Sequence, residues 1–145
     1  MPEMTSRPII GCKEVVYFPE ADLTLCCKVD TGARTSSLHA EDQQIFMQEE
    51  KTWIRFTTQN LTPEGYVKKV CEFPVVDQRL VKSSNGVAEE RYVIRLQLRL
   101  GPMNLAVELT LTDRSSMKYP MLLGRRAMAH RVLVAPGAQY LFGTP

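Results

Sequence analysis

Two neighbouring segments alternate apolar and polar residues with a period of two, and this pattern constrains the fold more than anything else in the chain. In residues 91–100 the even positions are Tyr92, Ile94, Leu96, Leu98 and Leu100, while the odd positions are mostly Arg and Gln. In residues 104–112 the odd positions Leu105, Val107, Leu109 and Leu111 are apolar. Successive side chains of a strand point to opposite faces, so each segment predicts a half-buried strand. Gly101-Pro102-Met103 is the turn between them. An apolar sheet face must be covered by another layer, which predicts a sheet packed on a sheet or a closed barrel.

Shorter strands are expected over residues 13–18, 23–29, 36–40, 52–58, 66–73, 121–123 and 131–135. Turn chemistry separates them: Pro19-Glu20, Asp30-Thr31-Gly32, Thr62-Pro63-Glu64-Gly65, Ser83-Ser84-Asn85-Gly86 and Pro136-Gly137. The one helix expected is a turn or two over residues 125–129. With 145 residues, 44% hydrophobic and 23% charged, the chain has the size and core content of one ordinary domain. We expect a single mostly β domain over residues 1–145, with residues 1–9 as a flexible N-terminus. A net charge of +2 gives no field that argues for nucleic acid.

The N-terminal residues carry no apolar stretch of signal-peptide length, and nothing approaches a membrane span. A cytoplasmic location and no membrane partner are the expectations. Four cysteines, Cys12, Cys26, Cys27 and Cys71, fit no disulfide scaffold. Cys26 and Cys27 are adjacent on an expected strand, so they point to opposite faces and cannot easily share a metal. His39 and His130 are the only histidines and form no H-E-x-x-H. No P-loop motif occurs. No metal and no cofactor are expected.

Chemistry concentrates in residues 28–38, which run Lys28-Val29-Asp30-Thr31-Gly32-Ala33-Arg34-Thr35-Ser36-Ser37-Leu38. Asp30 falls where a strand opens into a tight loop, so its carboxylate can project into a cleft. Thr31 offers a hydroxyl that can bond to a neighbouring loop. Gly32 lets the backbone approach and offers its N–H to a carboxylate oxygen. Asp-Thr-Gly is also an everyday turn sequence. A late segment, Tyr119-Pro120-Met121-Leu122-Leu123-Gly124-Arg125, adds an apolar run closed by Gly and followed by Arg.

Asp-Thr-Gly-Ala early and hydrophobic-hydrophobic-Gly-Arg late is the paired signature of retropepsin-type aspartic proteases. With residues 28–40, Glu90-Arg91-Tyr92-Val93-Ile94-Arg95, Glu108-Leu109-Thr110-Leu111-Thr112 and Pro120–Arg125, the chain resembles one bacterial retropepsin-like family over residues 10–143. That family carries the name ATP-dependent zinc protease and is associated with ATP-grasp glutamate ligases. The resemblance implies a closed retropepsin-like barrel with one short helix near the C-terminus. It also implies peptide hydrolysis with Asp30, Thr31 and Gly32 as the catalytic loop. Zinc and ATP are not carried over, because the residues give them no support.

Aspartic-protease chemistry needs two carboxylates sharing a proton, and Asp-Thr-Gly occurs once. The expectation is a homodimer in which each chain donates Asp30 across a two-fold axis; a same-chain partner such as Asp113 is the alternative. The resemblance also implies a hairpin flap between residues 75 and 92, with its tip at Ser83–Gly86; a surface hairpin with no gating role is the alternative. Ala33, Arg34, Lys28, Lys82, Asn85, Gly86, Arg91 and Arg125 are the expected substrate-binding residues. Five of the basic residues near the expected cleft, with Arg126 ambiguous, suit an anionic peptide, and the ligase association suggests a glutamate-rich tail. The competing reading is that Arg125 makes a structural ion pair, as the retropepsin resemblance implies, and that the other basic residues are solvated. The competing class is a non-catalytic domain of the same fold that binds acidic peptides or a partner protein. A nucleic-acid barrel built on Trp53, Phe56 and Tyr66 is disfavoured, because Trp53 and Phe56 alternate onto opposite faces.

Overall fold

The structure is a computed structural model that describes residues 7–82 and 85–145. In chain order the strands are β1 (Ile9–Ile10), β2 (Lys13–Phe18), β3 (Leu23–Val29), β4 (Ser36–His39), β5 (Glu41–Gln48) and β6 (Lys51–Thr62). They continue with β7 (Gly65–Pro74), β8 (Asp77–Lys82), β9 (Ala88–Leu100), β10 (Met103–Thr112) and β11 (Met121–Leu123). The short helix α1 (Arg125–Met128) and β12 (Leu133–Val134) complete the described elements.

The two alternating segments form the antiparallel β9–β10 pair, from Leu100 against Met103 to Val93 against Thr110. Leu96, Leu98, Leu100, Leu105, Val107, Leu109 and Leu111 all lie in the core, each no more than 5% exposed. The covering layer is the same sheet closed on itself. Strands β10, β4, β11, β3, β2 and β9 are hydrogen-bonded in that order, β9 returns to β10, and β8 extends the sheet from β9. The mostly β barrel with a short C-terminal helix is therefore the fold.

A second sheet, β5–β6–β7, is separate from the barrel. It is tied to β3, where the Thr24 N–H donates to Asn60 Oδ1 and the Cys26 N–H to the Tyr66 hydroxyl. Phe56 is buried and Trp53 half-buried on opposite faces of β6, as alternation requires. The expected hairpin exists as β8–β9, paired from Asp77–Val93 to Lys82–Ala88. Its expected tip falls partly on Ser83 and Ser84, which lie outside the described residues. Gly86 has φ +85°, a left-handed conformation that favours glycine.

Two strands, β1 and β5, lie where none was expected, and β6 and β9 run past the expected residues 52–58 and 91–100. Ile9 and Ile10 pair in parallel with Leu133 and Val134, so the expected N-terminal tail is already in a strand at Ile9. Buried Glu14 accepts hydrogen bonds from the Gly11 N–H at 2.7 Å and the Leu141 N–H at 3.2 Å, tying the two ends of the described chain together. β5 was not expected, because nearly all of Glu41–Gln48 is exposed and carries no apolar period.

On the outside of the barrel, Glu108 accepts from Arg79 Nη2 at 2.7 Å and from Arg95 Nη2 at 2.9 Å. Those hydrogen bonds hold its carboxyl below the ordinary glutamate range. A depressed folded-state value contributes stability above the unfolded-state value, and that stability is lost as pH falls through the folded-state value. Glu108→Gln should therefore lower the melting temperature at neutral pH and narrow its drop on acidification, as read by thermal unfolding from pH 7 to pH 3.

Candidate active site

β11 is the element that sets the loop geometry. It runs parallel to β3, with Leu123 against Val29, and antiparallel to β4, with Leu122 against Ser37. The hydrogen-bond ladder continues past the strand end, where the Asp30 N–H donates to Leu123 O at 2.9 Å. Asp30 is thus fixed at the point where β3 opens, as the residue pattern implied.

The loop is also held from within. The Gly32 N–H donates to Asp30 Oδ1 at 2.9 Å, and the Ala33 N–H donates to Asp30 O at 3.2 Å. Its other side rests on the segment after β11. The Arg125 N–H donates to Ala33 O at 2.8 Å, and the Arg126 N–H to Arg34 O at 3.1 Å. The Gly124 N–H donates to Ser36 Oγ at 3.0 Å. A side chain at position 124 has no room, because a Cβ there would lie 2.6 Å from the carbonyl carbon and oxygen of Thr35.

Asp30 is half-buried, and Thr31, Gly32 and Arg34 are exposed. The loop therefore presents its carboxylate and hydroxyl outward. Lys28, also exposed, shares a strand face with Asp30 by alternation.

The other expected binding residues divide. Arg125 Nη1 donates to Thr31 O at 3.2 Å and Gly32 O at 3.0 Å, so this guanidinium buttresses the Asp30 loop. Arg91 is committed to Glu89, at 3.2 Å, and to Thr110 Oγ1, at 3.3 Å. Together with the Thr112 hydroxyl, which donates to Glu89 Oε2 at 2.9 Å, these bonds fix the base of the β8–β9 hairpin against β10. Arg91 is therefore an anchor of the hairpin. Lys82, Asn85 and Gly86 are exposed at its outer end. Asp113 is not brought to Asp30. It follows Thr112, which pairs with His39 at the far end of β4, whereas the Asp30 loop joins the Ser36 end.

The donor set does not fit zinc. Among the described residues, no three His, Cys, Asp or Glu side chains cluster as metal ligands. Cys27 is in the core, and burial pushes its thiol up to about 12. Cys26 lies on the opposite face, under Tyr66. Among the described residues no helix is long and apolar enough to cross a membrane.

Arg114 and Lys118, which line a cavity beyond β11, were not expected at any site. Their only sequence signal is basic charge between strands. Gly124→Ala should lower stability by about 1–3 kcal/mol, because the Thr35 backbone has to move. Denaturant unfolding checks it, and a variant as stable as the parent would show that the close approach is not needed.

The RimB-like family model, described as retropepsin-like aspartic endopeptidase RimB, matches residues 9–145. Curated relatives named probable alpha-L-glutamate ligase are similar to the chain. One from Parasynechococcus marenigrum is 44% identical over 141 residues, covering 97% of this chain and 30% of the relative. One from Shewanella pealeana is 43% identical over 136 residues, covering 93% of this chain and 30% of the relative. The chain thus spans less than a third of the length of these relatives. A crystal structure of a Legionella pneumophila protein of unknown function superposes with a TM-score of 0.76 at 29% identity, covering 94% of this chain and 99% of that one. With the Asp-Thr-Gly loop, the Leu-Gly-Arg buttress and the barrel in place, the chain belongs to the RimB-like family of retropepsin-like aspartic endopeptidases.

Proposed function

We propose that the chain is an aspartic-type peptidase whose catalytic pair is Asp30 from each of two copies, acting on glutamate-rich segments. One observation carries this reading: an Asp-Thr-Gly loop held rigidly from behind by Arg125 and Gly124, with its carboxylate and hydroxyl presented outward. A loop so braced is prepared for chemistry at its exposed side, and it holds half of what that chemistry requires.

When two such loops meet about a two-fold axis, their carboxylates cannot both ionise at close range. One proton is shared, and the two apparent pKa values belong to the pair. The ionised carboxylate takes a proton from a bound water as that water attacks the scissile carbonyl carbon. The protonated partner donates to the carbonyl oxygen. The Gly32 N–H, already on Asp30 Oδ1, orients the carboxylate. The exposed Thr31 hydroxyl is available to bond across the axis.

The acidic substrate is supported by two facts of different kinds. Lys28 and Arg34 are exposed beside the loop, and strongly similar chain lies within relatives named glutamate ligases. A peptidase that removes what a ligase adds is a coherent pair of activities.

Asp30→Asn should lower hydrolysis of a glutamate-rich peptide by at least about 10²–10⁴-fold, with an unchanged circular dichroism spectrum. Binding of the same peptide should persist. Equal hydrolysis by the variant would reject the peptidase. Binding without hydrolysis by the parent chain would favour the non-catalytic, peptide-binding alternative.

A further inference from the structure

The barrel face that leads away from the Asp30 loop ends in a cavity that the peptidase chemistry leaves unused. Strand register defines the route. Lys28 pairs with Leu122, and Leu122 with Ser37. The His39 N–H donates to Pro120 O at 2.7 Å. Paired residues share a face, on which Lys28 is exposed and Leu122 half-buried, while Ser37, His39 and Pro120 are buried beneath the cavity end. From Gly124, level with Asp30, back to Pro120 is four residues of extended chain, or about 13 Å. The cavity lies there, about 230 Å³ in volume, lined by Arg114, Lys118, His39, Gln59 and Tyr66 among others.

Among the described residues, Arg114 and Lys118 have no carboxylate within ion-pair distance. Arg114 donates from Nε to Tyr119 O at 3.1 Å and from Nη1 to Ser37 Oγ at 3.3 Å, both neutral acceptors. Burial, with Arg91 nearby, disfavours its charge. Lys118 Nζ stands 5.7 Å from the Tyr119 ring centre, and Lys13 Nζ stands 5.5 Å from the same ring. Lys13 in turn pairs across the strands with Lys28. Positive charge thus continues from the catalytic loop to the cavity.

Of the two neighbouring acids, Glu41 has a cationic partner, whereas Asp113 has a neutral donor and lies 3.7 Å from His39 Nδ1. Glu41 is ion-paired with Lys68 at 2.9 Å. Asp113 accepts the Ser115 N–H at 2.8 Å. His39 accepts the Arg114 N–H on Nδ1 at 2.8 Å.

We propose that this cavity is a secondary carboxylate site, in which Arg114 and Lys118 hold an acidic group of an extended peptide about four residues from the bond at Asp30. The distance to the cleaved bond rests on the peptidase reading; binding in the cavity does not. An extended glutamate chain advances about 3.3 Å per residue, so it spans both sites.

The test is binding of hexaglutamate to the Asp30→Asn chain, which needs no turnover. Lys118→Gln should weaken binding about tenfold at about 50 mM salt, with a smaller loss at high salt because screening shortens the reach of exposed charges. Lys118→Arg should restore it. Lys51→Gln, at the far tip of the β5–β6 hairpin, controls for net charge and should leave binding unchanged. Arg114→Gln should behave like Lys118→Gln; if it fails to fold, Lys118 alone decides. The proposal is overturned if Lys118→Gln binds as the parent does, or if Lys51→Gln weakens binding equally. Failure of the peptidase reading is separate, since it would show as no hydrolysis by the parent chain with the binding pattern intact.

Discussion

Everything in the site depends on β11, three residues hydrogen-bonded on both edges. Met121–Leu123 lies between β3 and β4, parallel to one and antiparallel to the other. That insertion closes the barrel and carries Gly124 and Arg125 to the Asp30 loop, across more than ninety residues of chain in the case of the Arg125 contacts. The contact is possible only because position 124 has no side chain: a Cβ would overlap the backbone of Thr35. Backbone ladder, missing side chain and guanidinium brace each fix the loop from a different direction.

The loop's exposure follows from the same arrangement. The barrel core is sealed by Leu, Val, Ile and Phe side chains, so a carboxylate at the end of β3 has nowhere inward to go. It faces out, half-buried and within its own loop. Arg125 holds that loop. In the proposed peptidase, Lys28 and Arg34 beside the loop and the cations further along the same face are the groups left to meet an acidic peptide.

Residues 91–112 reveal the barrel in advance because one face of each strand is fully buried and the other is charged, so the period of two survives intact. The Asp30 loop and the Leu-Gly-Arg segment are legible as a pair, since Asp-Thr-Gly early and Leu-Gly-Arg late are far more specific together than either is alone. β5 is not legible: its Glu and Gln side chains lie in solvent, and exposed strands carry no apolar period. Nor is the parallel pairing of β4 with β10, where Ser36, Ser37 and His39 are buried although polar. Their burial is set by partners more than seventy residues away. The particular contacts of Arg91 with Thr110 and of Arg125 with Thr31 and Gly32 are not legible either, because a basic residue near a site reads the same in sequence whether or not it braces a loop.

The central claim is that one chain supplies half of a catalytic pair. It is tested most directly by refolding parent and Asp30→Asn chains together in varied proportions, at constant total concentration, and measuring hydrolysis of a glutamate-rich peptide. A site needing Asp30 from both copies predicts activity that falls as the square of the parent fraction. A linear decline, with each parent chain keeping its full activity beside an inactive neighbour, would contradict it.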